Sequence, residues 1–95
     1  MPKLWYVYIL QCADATYYTG ISPDVKQRVE THNLGKASRY TRVRLPVEIV
    51  YIEQCEDRSE ASKREAEIKK LSKQKKLELM DSPRWAGRMT NEGGE

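Results

Sequence analysis

At 95 residues the chain has room for one small domain, and folding hides only about 60–65% of the surface of so short a chain. Hydrophobic residues make up 39% and charged residues 33%, with a mean hydropathy of −0.79, yet the apolar residues cluster too much for a disordered polyelectrolyte. The longest apolar stretch, around Val7 to Leu10, is too short to cross a bilayer. No basic region or cleavage site marks a signal peptide. Cys12 and Cys55 stand far apart in no Cys-x-x-Cys arrangement, which indicates neither a zinc ribbon nor a disulfide scaffold and points to a reduced cytoplasm.

Leu4 to Cys12 is rich in aromatic and β-branched residues and reads as a strand. With period two, Leu4, Tyr6, Tyr8 and Leu10 share one face, and Trp5, Val7 and Ile9 the other. Both faces are apolar, which predicts a central strand covered on both sides. Ala13 to Ala15 is a polar break, and residues 16–21 resume strand character to complete a hairpin. Ser22-Pro23-Asp24 then starts a helix, with Ser22 as candidate cap and Pro23 at the first position. Gly35 stops it after His32 or Asn33. Residues 34–46 hold no period and read as a loop carrying Lys36, Arg39, Arg42 and Arg44 without an acid. Val47 to Glu53 is a third strand. Ser59 can cap a helix from Glu60 to about Ser72, a shorter helix covers Lys73 to Met80, and residues 83–95 read as a tail, with Trp85 as a docking candidate. The expectation is an α+β domain over residues 1–82, a three-stranded antiparallel sheet flanked by helices in the order β-β-α-β-α-α.

The net charge of +3 hides an asymmetry: residues 36–76 hold twelve basic and seven acidic side chains. Such a basic middle suits a polyanion partner.

Three polar features break the pattern. On the first helix Val25 and Val29 mark the inward face, and Arg28 and His32 stand one turn apart beside it. A snorkelling arginine and a satisfied border histidine are the plain alternatives to a functional pair. On the later helix Ala61 and Ile68 face inward and Glu65 falls between them, about 40° from the first and 60° from the second. A carboxylate there must pair, bind a metal or bear a desolvation cost; an ion pair with an arginine of the first helix is the plain alternative. Finally, Tyr8 and Tyr18 occupy adjacent strands. A phenol beside an arginine can accept a proton once its pKa falls from about 10.

Together, Tyr6-Val7-Tyr8 and Tyr18-Thr19-Gly20 resemble the paired signature of the GIY-YIG nuclease domain. The run from Tyr18 to Arg28 is similar to the stretch leading to that family's helix-borne arginine, and Ser62 to Lys70 to the segment holding its metal-binding glutamate. Residues 31–37 and Leu45-Pro46-Val47 resemble the short, single-domain YhbQ-type bacterial branch. Tyr6 replaces the first signature glycine, and Val7 and Thr19 the central isoleucines. Ile21 stands where excision-repair relatives carry lysine, and Leu77 where they carry asparagine.

The resemblance implies a metal-dependent endonuclease hydrolysing phosphodiester bonds in nucleic acid, DNA before RNA, in DNA repair or processing. It implies that Glu65 holds one Mg²⁺ or Mn²⁺, weakly without substrate. Tyr8 would act as general base, Tyr18 would position the water, and Arg28 would bind the phosphate. His32 would assist proton transfer or merely orient a neighbour. Lys36, Arg39, Tyr40, Arg42 and Arg44, with Lys69 and Lys70, would follow the nucleic-acid backbone. No membrane is involved, and a partner protein would supply specificity. Two alternatives stay open: a non-catalytic nucleic-acid-binding module of this fold, or an interaction module recruited by a larger repair enzyme.

Overall fold

A computed structural model describes residues 3–82; the proposed tail and Trp85 lie outside the described residues. Strands β1 (Trp5–Gln11), β2 (Tyr17–Ser22) and β3 (Glu48–Cys55) form one antiparallel sheet in the order β2-β1-β3. The first strand is therefore central, as its two apolar faces require. Val7 and Ile9 pack with Tyr51, Cys55, Ala61, Ile68 and Met80 on one side. Tyr8 and Leu10 pack with Cys12, Val25 and Val47 on the other. The two cysteines are buried, free, and belong to different clusters. Among the described residues no helix is long and apolar enough to cross a membrane.

Helix α1 (Val25–Asn33) covers the Tyr8 face. Its cap is Asp24 rather than Ser22: the Asp24 carboxylate accepts from the Gln27 N–H at 3.1 Å, while the Ser22 hydroxyl closes a turn with the Asp24 backbone. A charged acceptor holds the positive helix end more strongly than a hydroxyl. Gly35 follows the helix with φ +78°, a conformation open to glycine. The segment expected to be irregular contains a four-residue helix, α2 (Arg39–Arg42), capped by Ser38. It has too few turns to write a period into the sequence.

Helices α3 (Arg58–Lys69) and α4 (Lys73–Met80) cover the Val7 face, with α3 packed along β2 and β1. Asp57, not Ser59, caps α3 by accepting from the Glu60 N–H at 2.8 Å, and Glu60 in turn accepts from the Glu56 N–H. Ser72 caps α4. The order is thus the expected one with a short helix inserted before β3.

Candidate active site

The site starts at the pairing of Tyr8 with Gly20 across β1 and β2. A Cβ on Gly20 would lie 2.5 Å from the Tyr8 oxygen and 2.7 Å from its Cζ, so only glycine lets this phenol lie across β2. The Tyr8 hydroxyl meets His32 Nε2 at 3.0 Å, and His32 Nδ1 meets Thr41 Oγ1 at 2.8 Å. Thr41 also reaches the Ser38 carbonyl, to which its hydroxyl must donate. One direction satisfies every partner: Tyr8 donates to Nε2, and Nδ1–H donates to Thr41. His32 and Thr41 are at most 1% exposed.

The aromatic rings extend the chain outward. Tyr18 meets His32 edge-on, 5.1 Å between centroids, and stacks on Tyr40 at 6.1 Å. The Arg44 guanidinium lies 3.9 Å above Tyr40 and forms an ion pair with Asp14 of the β1–β2 turn at 3.1 Å. The Thr16 hydroxyl and N–H, and after them this pairing, hold the Asp14 carboxyl below its usual range. Tyr40 and Arg44, expected to track phosphates, are thus engaged in bracing Tyr18.

Arg28 stands against the Tyr8 phenol as a hydrogen-bonding cation, and its field also reaches His32. Burial pushes Tyr8 up to about 12; neighbouring Tyr18 adds to this, and Arg28 offsets part of it. The shift is upward, not the downward one expected of a ready-made base. Burial, with Arg28 second, lowers the His32 pKa, so its imidazole is neutral near pH 7.

Glu65 projects from the inward side of α3 between Ala61 and Ile68, both fully buried, and its side chain is 24% exposed. Its field reaches Tyr8. Its ion partner is Lys69, one turn along the same helix at 3.4 Å, rather than an arginine of α1. Glu67 pairs with Arg64 on the rim. Lys36, Arg39 and Arg42 line a cavity of about 390 Å³ with Gly35 and Ser38, and make no ion pair among the described residues. Lys70 is exposed.

Among the described residues no three His, Cys, Asp or Glu side chains gather as a metal cage. A lone, half-buried carboxylate fits a hard cation such as Mg²⁺, which keeps its waters and takes remaining oxygens from substrate phosphate.

Sequence reasoning missed two residues. Thr41 fixes the His32 tautomer, and Asn33 exchanges two hydrogen bonds with the Val47 backbone, at 2.8 and 3.1 Å, tying the end of α1 to β3. Neither carried a signal: Thr41 stands between Tyr40 and Arg42, and Asn33 between His32 and Leu34 at the end of α1.

A profile of the GIY-YIG catalytic domain matches residues 4–78. A UPF0213 protein of Desulfotalea psychrophila is 56% identical over 77 residues, which cover 80% of this chain and 70% of that protein. A UPF0213 protein of Staphylococcus aureus is 53% identical over 75 residues, 79% of this chain and 92% of that one. The solution structure of the UPF0213 protein BH0048 from Bacillus halodurans superposes with a TM-score of 0.55 at 40% identity, covering 85% of this chain and 86% of its own. The chain belongs to the GIY-YIG family, and within it to the short UPF0213 proteins. Its catalytic domain is of the nuclease type, a class that acts on nucleic acid.

Proposed function

We propose that this protein is a metal-dependent endonuclease that hydrolyses phosphodiester bonds, in DNA before RNA. The observation that carries the reading is the hydrogen-bonded line Tyr8–His32–Thr41 with Arg28 against the phenol. A merely structural tyrosine needs no arginine at its hydroxyl that lacks an ion partner among the described residues. The line also answers the raised Tyr8 pKa. As Tyr8 takes a proton from the attacking water, it passes its own to His32 Nε2. In such a concerted relay the phenol never becomes a free phenolate, so the driving force is set by the terminal acceptor His32 rather than by the Tyr8 pKa. The base is then the Tyr8–His32 pair.

Arg28 would donate to the scissile phosphate and meet the charge that builds on it. Tyr18, braced by Tyr40, would orient the water. Glu65 would hold Mg²⁺ or Mn²⁺, which supplies Lewis acidity at the phosphate and stabilises the leaving oxygen. Lys36, Arg39 and Arg42, free of acids, would seat neighbouring phosphates, with Lys69 and Lys70 further along. Repair or processing in the cytoplasm suits two buried free thiols, and a partner protein would direct so small a domain to its sites.

The test is the full chain with Mg²⁺ or Mn²⁺ on branched, flapped, single- and double-stranded DNA and RNA. Cleavage should require the metal and fall by about 10²-fold or more in Glu65→Gln and in Arg28→Ala. Salt-sensitive binding without cleavage of any substrate, unchanged in Glu65→Gln, would make the protein a binding module instead.

A further inference from the structure

Beside Arg28 a second cavity, about 370 Å³, opens between the start of α1 and the β1–β2 face bearing Trp5. Trp5, Ile21 and Pro23 form its apolar wall, and Asp24, Gln27 and Arg28 its polar one. We infer that this cavity receives one nucleobase of the strand being cut, next to the scissile phosphate, and prefers a base bearing an exocyclic amino group, adenine foremost. The inference rests on the hydrolytic reading above, because Arg28 is what joins the cavity to the phosphate.

The contrast with the Lys36 cavity sets the ligand class. There three cations and no acid line the space, the composition a phosphate wants. Here one cation is accompanied by the Asp24 carboxylate, which repels phosphate. A flat indole beside isoleucine and proline suits a π face instead. The volume is near the lower end of the range for ligand sites, about 300–1,000 Å³, which admits one nucleoside and not a longer segment.

The polar groups then select the base. The hydroxyls of Ser22 and Thr31 are spent on the Asp24 and Gln27 carbonyls. One Asp24 oxygen caps α1. The Gln27 carboxamide has no partner among the described residues and offers a donor and an acceptor together. That pair matches adenine N7 and its 6-amino group. The second Asp24 oxygen accepts from an amino group but repels the O4 carbonyl of thymine or uracil. Arg58, 5.6 Å from the Trp5 ring, helps hold the indole in place.

Two measurements on the full chain test this. In the first, adenosine, thymidine and ribose 5-phosphate are titrated into ¹⁵N-labelled protein, reading the Trp5 indole N–H and the Gln27 side-chain amide. Adenosine should shift both signals, thymidine less, and ribose 5-phosphate neither. In the second, an oligonucleotide library randomised around the cut is digested and the products are sequenced. Adenine should be enriched at one position beside the cut; Trp5→Leu should weaken seating of any base roughly tenfold, the loss expected of one stacking contact, and the enrichment should fall with it. Gln27 is exposed on a helix, so Gln27→Ala folds, and it should also reduce the preference. Adenosine shifts without any cleavage would support the pocket and overturn the hydrolytic reading. Cleavage without base preference, or adenosine leaving both signals unmoved, would overturn the pocket.

Discussion

Two buried tyrosines sit on opposite faces of the sheet, and burial raises the pKa of both. Tyr51 donates to Glu53, whose carboxylate is held by Arg64 at 2.9 Å, and Arg64 also holds Glu67 at 3.0 Å. Each group there is answered by another: burial works against the Arg64 charge, but the hydrogen bonds to Glu53 and Glu67 outweigh it and keep the guanidinium charged. Tyr8 donates instead to a neutral imidazole, beside an arginine that no carboxylate among the described residues answers in an ion pair. One network is closed and holds the fold. The other keeps a cation and a proton acceptor available, which is what a site needs.

The sharpest way to separate them is to remove each hydroxyl. Tyr8→Phe should lower cleavage by about 10²–10³-fold, the usual worth of positioned proton transfer. Tyr51→Phe should leave cleavage within about twofold and instead lower stability by roughly 1 kcal/mol, the value of one hydrogen bond. Single-turnover rates and urea unfolding on the same preparations check both. Equal losses of activity would dissolve the distinction.

Next in size is Arg64→Ala. It strands Glu53, whose side chain is 12% exposed, without its cation. The expected loss is about 2–3 kcal/mol, below that of a fully buried pair because solvent reaches Arg64. A thermal scan should register a drop of roughly 10–20 °C. Arg28→Ala, with no carboxylate left behind, should barely move the midpoint.

Gly20→Ala acts on the open network alone. Its Cβ would collide with a phenol locked between β2 and α1, not with a free side-chain end. Moving Tyr8 aside should cost about 1–2 kcal/mol and break the bond to His32, so stability and cleavage should fall together. A variant of full activity would show that the Tyr8–Gly20 crossing is not needed for the reaction.

The comparison also marks what a sequence can carry. The two-faced strand was legible because alternation in Trp5–Gln11 is local. Glu65 was legible because its angle on α3, between Ala61 and Ile68, is set by helix geometry. The helices begin at Asp24 and Asp57 rather than at the serines expected as caps: each aspartate has extended backbone and accepts from the N–H three residues on, while the Ser22 hydroxyl serves a separate turn with Asp24. Thr41, Asn33 and the Asp14–Arg44 pair were hidden for another reason. Each joins two separate segments at a helix end, a four-residue helix or a turn, where no period points to a partner, and only the folded chain defines it. The basic loop showed its charge plainly, but not that Arg44 is already paired while Lys36, Arg39 and Arg42 have no ion partner among the described residues.

The smallest expected effect is on pH dependence, and it isolates the open network. His32 has a folded pKa below its unfolded value of about 6.5, through burial first and Arg28 second. The unfolded chain therefore takes up a proton before the folded one does, so ν_U exceeds ν_N and stability falls as pH falls. The stabilising share is complete above pH 6.5 and is lost below it, with a slope of at most about 1.4 kcal/mol per pH unit for one proton. In the closed network the shifts of Tyr51 and Arg64 are upward, from groups that already titrate in the alkaline range. Asp14, shifted down, titrates below pH 4. Between pH 7.5 and 5 the slope should thus belong mainly to His32. Urea unfolding across that range should flatten in His32→Asn but persist in Tyr51→Phe. A slope that survived His32→Asn would belong to another group, whereas a chain whose stability rose as pH fell would hold a protonated imidazole, and the direction of the Tyr8–His32 hydrogen bond would have to be reversed.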